Sequence, residues 1–169
     1  MASQETVVRT DRPIVVDATN HIAGRLSSNV AKLLKQGHRV SIVNCEKIMY
    51  SGTRSNLIKE YREFLEINSI NHWKHGPKHP RRPDTIMKKM IRGMLPKEKP
   101  SGKEAHKRLR TYIGSPKEVK SLKKIKFEKA MIRKNQTDDP DIDPESYTEV
   151  SSVARALIDA DSDAFDHIG

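Results

Sequence analysis

Two short β-branched runs, separated by one amphipathic helix, constrain the fold of this chain of 169 residues more than any other feature. The runs are PIVVDAT (13–19) and RVSIVNC (39–45), which are typical of buried strands. Between them, apolar residues recur on one helix face from Ile22 to Leu34, and Gly37 is suited to the helix end. A strand, helix and strand within about 30 residues predict a βαβ unit and a parallel sheet.

Capping and turn signals predict where further elements begin and end. Thr19 or Asn20 is suited to cap the first helix. SGKE (101–104) and SYTE (146–149) both have the capping-box pattern, in which a Ser bonds forward and a Glu bonds back. YSGT (50–53) is typical of a turn. These signals place helix starts at three points along the chain.

Three more helices are predicted in the centre of the chain. An amphipathic pattern covers residues 57–65, and Pro83 can begin the next helix, whose apolar face is Ile86, Met87, Met90, Ile91, Met94 and Leu95. The capping box at 101–104 predicts a helix that carries Ala105, Leu109 and Tyr112 and ends near Gly114. Residues 71–83, interrupted by three Pro and one Gly, are predicted to lack regular structure.

The charge of the chain is concentrated in its middle. Residues 1–70 carry 10 Lys or Arg and 7 Asp or Glu, whereas residues 71–134 carry 21 and 5, a net charge of +16. Residues 135–169 carry 1 and 10, a net charge of −9. Charge blocks of this kind are typical of interaction surfaces or solvated arms. A total of +10 favours an acidic partner, with nucleic acid first and an anionic membrane surface second.

The segment HGPKHPRRPDTIMKKMIRGMLP (75–96) combines this charge with four prolines and only one acid. Its prolines would hold the chain extended, so that little conformational freedom is lost on binding. Lysine and arginine reach phosphates, and arginine adds bidentate contacts and stacking. We therefore predict that this segment and the helix after it bind RNA, through Lys74, His75, Lys78, His79, Arg81, Arg82, Lys88, Lys89, Arg92, Lys97, Lys99, Lys103, Lys107, Arg108 and Arg110.

Three further residues in or near this segment have more than one possible role. His72 could donate to a phosphate or a 2′-hydroxyl group, and Trp73 could stack on a base or anchor the core. Gly93, inside a helical pattern, indicates either a helix end or a close approach to RNA backbone.

The cysteine count and the lack of long apolar stretches indicate in which cellular compartment the chain is expected. Cys45 is the one cysteine, so that an internal disulfide is impossible and a reducing cytoplasm fits. No window approaches the length of an apolar membrane span, and the N-terminal residues lack the apolar stretch of a secretory signal.

An RNA-processing, metal-dependent enzyme is the first alternative function. His72, His75 and His79 are potential zinc ligands, but Gly76 and the adjacent prolines oppose the helix that would align them. The basic middle also lacks paired carboxylates for acid–base catalysis. We therefore expect no metal, no cofactor and no catalytic residue. Gly24 and Arg25 give only a weak signal for a nucleotide site, because no Gly-rich loop accompanies them.

A module for interaction with proteins or RNA in another setting is the second alternative, and the acidic C-terminal residues are its best support. Val150, Val153, Ala154, Leu157 and Ile158 follow helical spacing, which predicts an acidic amphipathic helix over 146–159. This helix could contact a neighbouring protein, shield the basic surface, or pack onto its own domain. We predict two parts of the chain: a domain at 1–134 with the basic segment 71–134, and an acidic linker and helix at 135–169.

A long central stretch resembles a known family. HGPKHPRRPDTIMKKMIRGMLPKEKPSGKEAHKRLRTYIGSP (75–116) is similar to the signature region of the large-subunit ribosomal protein thirteen family, and RRPDTIMKKMIRGMLP is its most specific part. Upstream, VVDATNHIAGRLSSNVAKLL and VNCEKIMYSG resemble the opening strand, helix and second strand of that family. The resemblance covers about residues 13–120 and is closer to the archaeal and eukaryotic branch.

The resemblance implies a fold and a role. The fold would be three-layer α/β/α with a mainly parallel central sheet. The role would be to bind large-subunit ribosomal RNA in the cytoplasm, beside neighbouring large-subunit ribosomal proteins, with no catalytic site and no small-molecule substrate. The acidic extension from about residue 135 is not part of the family pattern.

Overall fold

The computed structural model describes residues 12–70, 75–132 and 147–165. Its strands are β1 (Ile14–Asp17), β2 (Val40–Val43), β3 (Met49–Ser51), β4 (Leu109–Thr111), β5 (Lys124–Ile125) and β6 (Tyr147–Glu149). Its α-helices are α1 (Ala23–Lys35), α2 (Arg54–Glu66), α3 (Pro83–Met94), α4 (Pro100–Lys107), α5 (Lys117–Lys120) and α6 (Val150–Phe165). In these ranges no helix has both the length and the apolar composition needed to cross a bilayer.

A four-stranded parallel sheet forms the centre, with the strand order β4-β2-β1-β5. Successive side chains of a strand point to opposite faces, and Val15 and Val16 of β1 accordingly lie in different apolar clusters. Val16 packs with α1 and α3, whereas Val15 packs with Val119 of α5. Helices therefore cover both faces, which confirms the α/β fold with a mainly parallel sheet in three layers.

The main core lies between the sheet and helices α1 and α3. Leu26, Val30 and Leu34 of α1 are fully buried, as predicted from their spacing. The apolar face of α3 is buried through Ile86, Met87, Ile91 and the following Leu95, whereas Met94 is 39% exposed. Burial of each such side chain contributes roughly 1.5–3 kcal/mol, so these two helices are fixed firmly on the sheet.

The predicted caps are wrong at all three positions. The N-cap of α1 is Ile22, because Thr19 instead donates its hydroxyl to the Asp17 carboxylate at 2.8 Å and Asn20 has a left-handed φ of 57°. Helix α4 begins at Pro100, one residue before the predicted cap, because proline is pre-organised for the first helical position. In the capping box predicted at 146–149, residues 147–149 form strand β6 instead of the first turn of a helix, and α6 begins at Val150.

Two further predictions of local structure are wrong. The helix predicted to end near Gly114 stops at Lys107, and Leu109–Thr111 pair with β2 as the sheet edge β4. The predicted turn at 50–53 contains the end of β3, which pairs antiparallel with β6, and only its Gly52 has a turn conformation, with φ of 126°. In both places strand pairing with a distant segment overrides the local signal.

The C-terminal segment packs into the rest of the molecule. Val150 and Ala154 of α6 join the main core, while Val153 and Leu157 pack against Leu57 of α2. Next to this contact, the hydroxyl groups of Tyr50 and Tyr61 are hydrogen-bonded at 2.8 Å. The predicted division of the chain at residue 135 stays a prediction, and the acidic linker that we predict between this point and β6 lies outside the described residues.

Candidate nucleic-acid interface

The loop before α3, the outer face of α3 and the last turn of α4 enclose a groove of about 820 Å³, which we call the basic groove. Two histidines, His79 and His106, line it together with six Lys or Arg residues, and no described Asp or Glu lines it. The six cationic residues are Lys78, Arg81, Arg82, Lys88, Lys89 and Arg92. The structure thus brings together seven of the predicted RNA-binding residues, counting His79.

The loop that forms one wall of the basic groove is tied to the end of α2. The carbonyl of Ile67 can only accept, so the Nε2 of His79, 3.0 Å away, donates to it. The His79 ring also stands edge-on to Phe64, with 4.7 Å between ring centroids. His79 therefore holds the loop in place, a role that its predicted contact with RNA did not include.

Lys89 ties the same loop to α3. Its Nζ donates to the carbonyl of Lys78 at 2.9 Å and lies 3.9 Å from the centroid of the Phe64 ring, as in a cation–π contact. Partial burial lowers the pKa of Lys89. One of the three N–H donors of Lys89 is therefore used inside the protein, so Lys89 supports the loop as well as lining the groove.

The first turn of α3 fixes the position of Arg82. The backbone carbonyl of Arg82 accepts a hydrogen bond from the Thr85 hydroxyl at 2.9 Å. The Nε of the Arg82 side chain lies 3.3 Å from the Asp84 carboxylate. The Arg82 side chain is nevertheless 67% exposed. Asp84 itself is only 19% exposed, so just the arginine end of this ion pair faces solvent. A guanidinium group has five N–H donors, so Arg82 can contact a phosphate while its Nε stays beside Asp84.

His106, on the opposite wall, reports the electrostatic potential of the groove. The pKa of this imidazole is lowered, first by partial burial and then by the nearby charges of Lys88 and Arg92. Its Nε2 is buried without a hydrogen-bond partner. No described Asp or Glu lines the groove, so its concentrated positive charge is suited to attract an anionic ligand.

The other predicted residues lie outside the basic groove. Lys99 and Arg108 line a second cavity, and Lys107 and Arg110 line a third one together with Arg108. The remaining residues are exposed and line none of these cavities, namely His75, Lys97 and Lys103. His72, Trp73 and Lys74 lie outside the described residues. All of these RNA contacts stay predictions.

The second cavity contains cationic residues that the sequence analysis missed. Lys35, His38 and Arg39, from the connection between α1 and β2, line it together with the start of α4. They come from the part of the chain with a nearly balanced charge, so a segment-by-segment charge count does not single them out. The signal that could have found them is their spacing around Gly37, at the end of a helix that carries Lys32 and Lys35 in its last turn.

Gly93 faces open space next to the basic groove. It lies in the last turn of α3, and a Cβ added there would meet nothing within 4 Å. With Phe64 and Met90 it lines a smaller cavity of about 330 Å³, which shares Pro80 and Lys89 with the basic groove. The position is thus a helix end, and it also leaves room for a close neighbour.

The carboxyl end of the sheet holds a polar cluster that is internally satisfied. The Asp17 carboxylate accepts from Asn44 at 2.9 Å and lies 3.6 Å from Lys126. The buried His21 bonds to the carbonyl of Thr19 and to the backbone N–H of Phe127. Among the described residues, no three His, Cys, Asp or Glu side chains come together as a metal site would require.

The fold and the basic groove define an α/β domain with a concentrated cationic face, a class of protein whose surface suits a polyanion. The family model of ribosomal protein L13 matches residues 11–118. The chain belongs to the ribosomal protein L13 family, as the sequence resemblance predicted.

Archaeal relatives agree with this assignment. The large ribosomal subunit protein uL13 of Sulfolobus acidocaldarius is 42% identical, over 78% of this chain and 85% of its own. The protein of the same name from Aeropyrum pernix is 42% identical, over 86% of this chain and 90% of its own. That from Methanocaldococcus jannaschii is 45% identical, over 66% of this chain and 82% of its own.

Proposed function

We propose that this chain is a structural component of the large ribosomal subunit and binds folded ribosomal RNA through the basic groove. Its relatives bear the name large ribosomal subunit protein uL13. The observation that carries the RNA contact is the groove of six Lys or Arg residues lined by no described acid. The proposed location is the ribosome in the cytoplasm, and the proposed role is binding without catalysis.

The groove supports this proposal through the physics of polyanion binding. Each phosphate that a Lys or Arg neutralises releases condensed counterions, which supplies much of the affinity. The wall formed by residues 77–82 is held by the His79 and Lys89 hydrogen bonds, so that it needs little ordering when RNA arrives. Arg81 and Arg82 would supply the bidentate phosphate contacts that lysine cannot make.

The C-terminal segment is the proposed contact with neighbouring ribosomal proteins. Residues 147–158 pack on α2 and the core rather than on the basic groove, so the groove stays open in this structure. Ile158, on the outer side of α6, is 50% exposed. We retain the division into a domain at 1–134 and an extension at 135–169 as part of the proposal.

Sedimentation of a cell extract through a density gradient tests the function. We expect the chain to migrate with large ribosomal subunits and to remain with them at moderate salt. A variant with Arg81→Ala and Arg82→Ala should leave the subunits at lower salt than the wild type. A matched variant with Arg54→Ala and Lys59→Ala, which removes two exposed charges of α2, should not. A wild-type chain found only at the top of the gradient would contradict the proposal.

A further inference from the structure

A second groove, of about 840 Å³, lies between the end of α1 and the start of α4. Among the described residues that line it are four Lys or Arg and one acid, Glu104. The four are Lys35, Arg39, Lys99 and Arg108. They come from two segments that are far apart in the sequence, so that only the folded chain assembles this cationic surface.

The shape of the second groove is fixed by two close contacts. The Nη2 of Arg108 donates to the carbonyl of Leu34 at 3.0 Å, which joins the end of α4 to the end of α1. Gly102 is buried, and a Cβ at this position would collide with the carbonyl oxygen of Pro96. The start of α4 therefore packs directly on the backbone of the preceding turn, and the two walls of the second groove keep a defined separation.

The two grooves lie on different sides of α4. The two grooves have no described lining residue in common. At the end of α4, His106 lines the basic groove, whereas Ala105 and Arg108 line the second groove. The second groove also continues through Arg39 and Arg108 into the cavity lined by Lys107 and Arg110. A helix is about 10 Å across, so a phosphate chain in one groove is separated from a phosphate chain in the other.

We propose that the second groove binds a second segment of RNA backbone, so that one chain joins two separate strands of a folded RNA. This inference rests on the proposed function and names a further contact for it. The described residues that line the second groove include four Lys or Arg and no Phe, Tyr or Trp, so its chemistry suits phosphate more than a stack of bases. We therefore expect the main contact to be with the phosphate and ribose backbone.

Glu104 distinguishes RNA from other polyanions at this site. A carboxylate repels a phosphate, but it accepts a hydrogen bond from a ribose 2′-hydroxyl group, which DNA lacks. We therefore expect the second groove to prefer an RNA backbone to a DNA backbone of the same length. Replacing Glu104 with Ala removes the acceptor for the 2′-hydroxyl group and should abolish that preference, whereas Glu104→Gln keeps an acceptor oxygen and should retain it.

A bridging assay with the full chain tests the inference. One RNA hairpin carries biotin and is fixed to beads, while a second copy carries a fluorophore and stays in solution. Wild-type protein should retain the fluorescent hairpin on the beads, and a variant with Lys35→Gln, Arg39→Gln and Lys99→Gln should not, although it still binds one hairpin. For this triple variant, the slope of log K against log salt for RNA binding should be smaller than that of the wild type by about 2–3. A variant with Arg54→Gln, Lys59→Gln and Arg62→Gln removes as many charges from α2 and should bridge as the wild type does.

The outcomes separate this inference from the proposed function. Wild-type protein that binds a single hairpin but never retains the second one would overturn the second site and leave the basic groove intact. Bridging by the triple variant at the wild-type level would also overturn it. Light scattering that shows one chain per bridged complex supports the inference, whereas bridging only by protein dimers overturns it. Protein that binds no RNA would overturn the proposed function itself.

Discussion

Helices α3 and α6 bury similar apolar faces and carry opposite charge. Ile86, Met87 and Ile91 of α3 are buried, and so are Val150, Val153, Ala154 and Leu157 of α6. On α3, however, Lys88, Lys89 and Arg92 line the basic groove, whereas the sequence of α6 contains three Asp and one Arg. Docking thus depends on the apolar face, and the charge of the outer face can be selected independently for a partner.

The two regions should also differ in what they contribute to stability. The basic groove holds six Lys or Arg residues close together, and like charges repel one another. The C-terminal segment adds an antiparallel strand pair and four buried apolar side chains. The difference suggests that the groove is costly until RNA binds, while α6 helps to keep the domain folded.

The largest effect should come from Leu157→Ala in α6. Loss of this fully buried side chain should lower the free energy of unfolding by about 2–5 kcal/mol. Ile158→Ala, at a neighbouring position that is 50% exposed, should change it by less than about 0.5 kcal/mol. Urea unfolding followed by circular dichroism measures both. Equal, small effects would mean that α6 behaves as an appendage, as the division at residue 135 implies.

A double change in the basic groove should affect binding and leave stability unchanged. Arg81→Ala with Arg82→Ala should flatten the slope of log K against log salt for RNA binding by roughly 1–2. The Arg82 side chain is 67% exposed, so its loss should change the free energy of unfolding by no more than about 1 kcal/mol. Fluorescence anisotropy at several salt concentrations measures the slope. An unaltered slope would remove both arginines from the contact surface.

Lys89 and Lys88 should behave differently although they carry the same charge. Lys89→Gln removes the hydrogen bond to the Lys78 carbonyl and the contact with Phe64, so the loop at 77–82 should exchange its amide hydrogens faster. Lys88→Gln should leave that exchange unchanged. Hydrogen–deuterium exchange with mass spectrometry compares the two variants. Identical protection in both would show that Lys89 does not hold the loop.

The smallest effect concerns the titration of His106. Its pKa lies below the ordinary value of 6.5, so the folded protein takes up this proton less readily than the unfolded chain. Its contribution to stability is therefore complete above pH 6.5 and decreases as the pH falls from 6.5 towards the lower folded-state pKa. Lys88→Gln with Arg92→Gln should raise the pKa, but not to 6.5, because burial is the larger cause. NMR titration of the ring protons measures it; an unchanged value would contradict the assigned charge effect.

The helices and the sheet were predictable where periodicity and burial coincide. The spacing of Leu26, Val30 and Leu34 predicted α1, and the β-branched runs predicted β1 and β2, since these side chains are buried by the elements themselves. The first cap failed because the Thr19 hydroxyl bonds to Asp17, and the second because α4 already begins at Pro100. Leu109 was assigned to a helix because its spacing fits one, and pairing with β2 decided otherwise.

The basic groove was predictable in composition and not in geometry. Charge density identified Arg81, Arg82 and Arg92, because no fold can bury so many unpaired cations. It did not show that His79 and Lys89 support the loop, since their acceptors are the carbonyls of Ile67 and Lys78. Backbone carbonyls occur at every residue, so the sequence contains no signal for which one is used.

The linear order of residues determined the strand–helix–strand start, the buried faces of α1 and α3, and the cationic middle of the chain, because periodicity and charge are local properties. Only the tertiary structure decided that Met49 pairs with Glu149 and that Lys35 and Arg39 lie opposite Lys99. Such contacts depend on how the sheet orders its strands and how the helices then pack. That choice is made by the burial of the whole core rather than by any one segment.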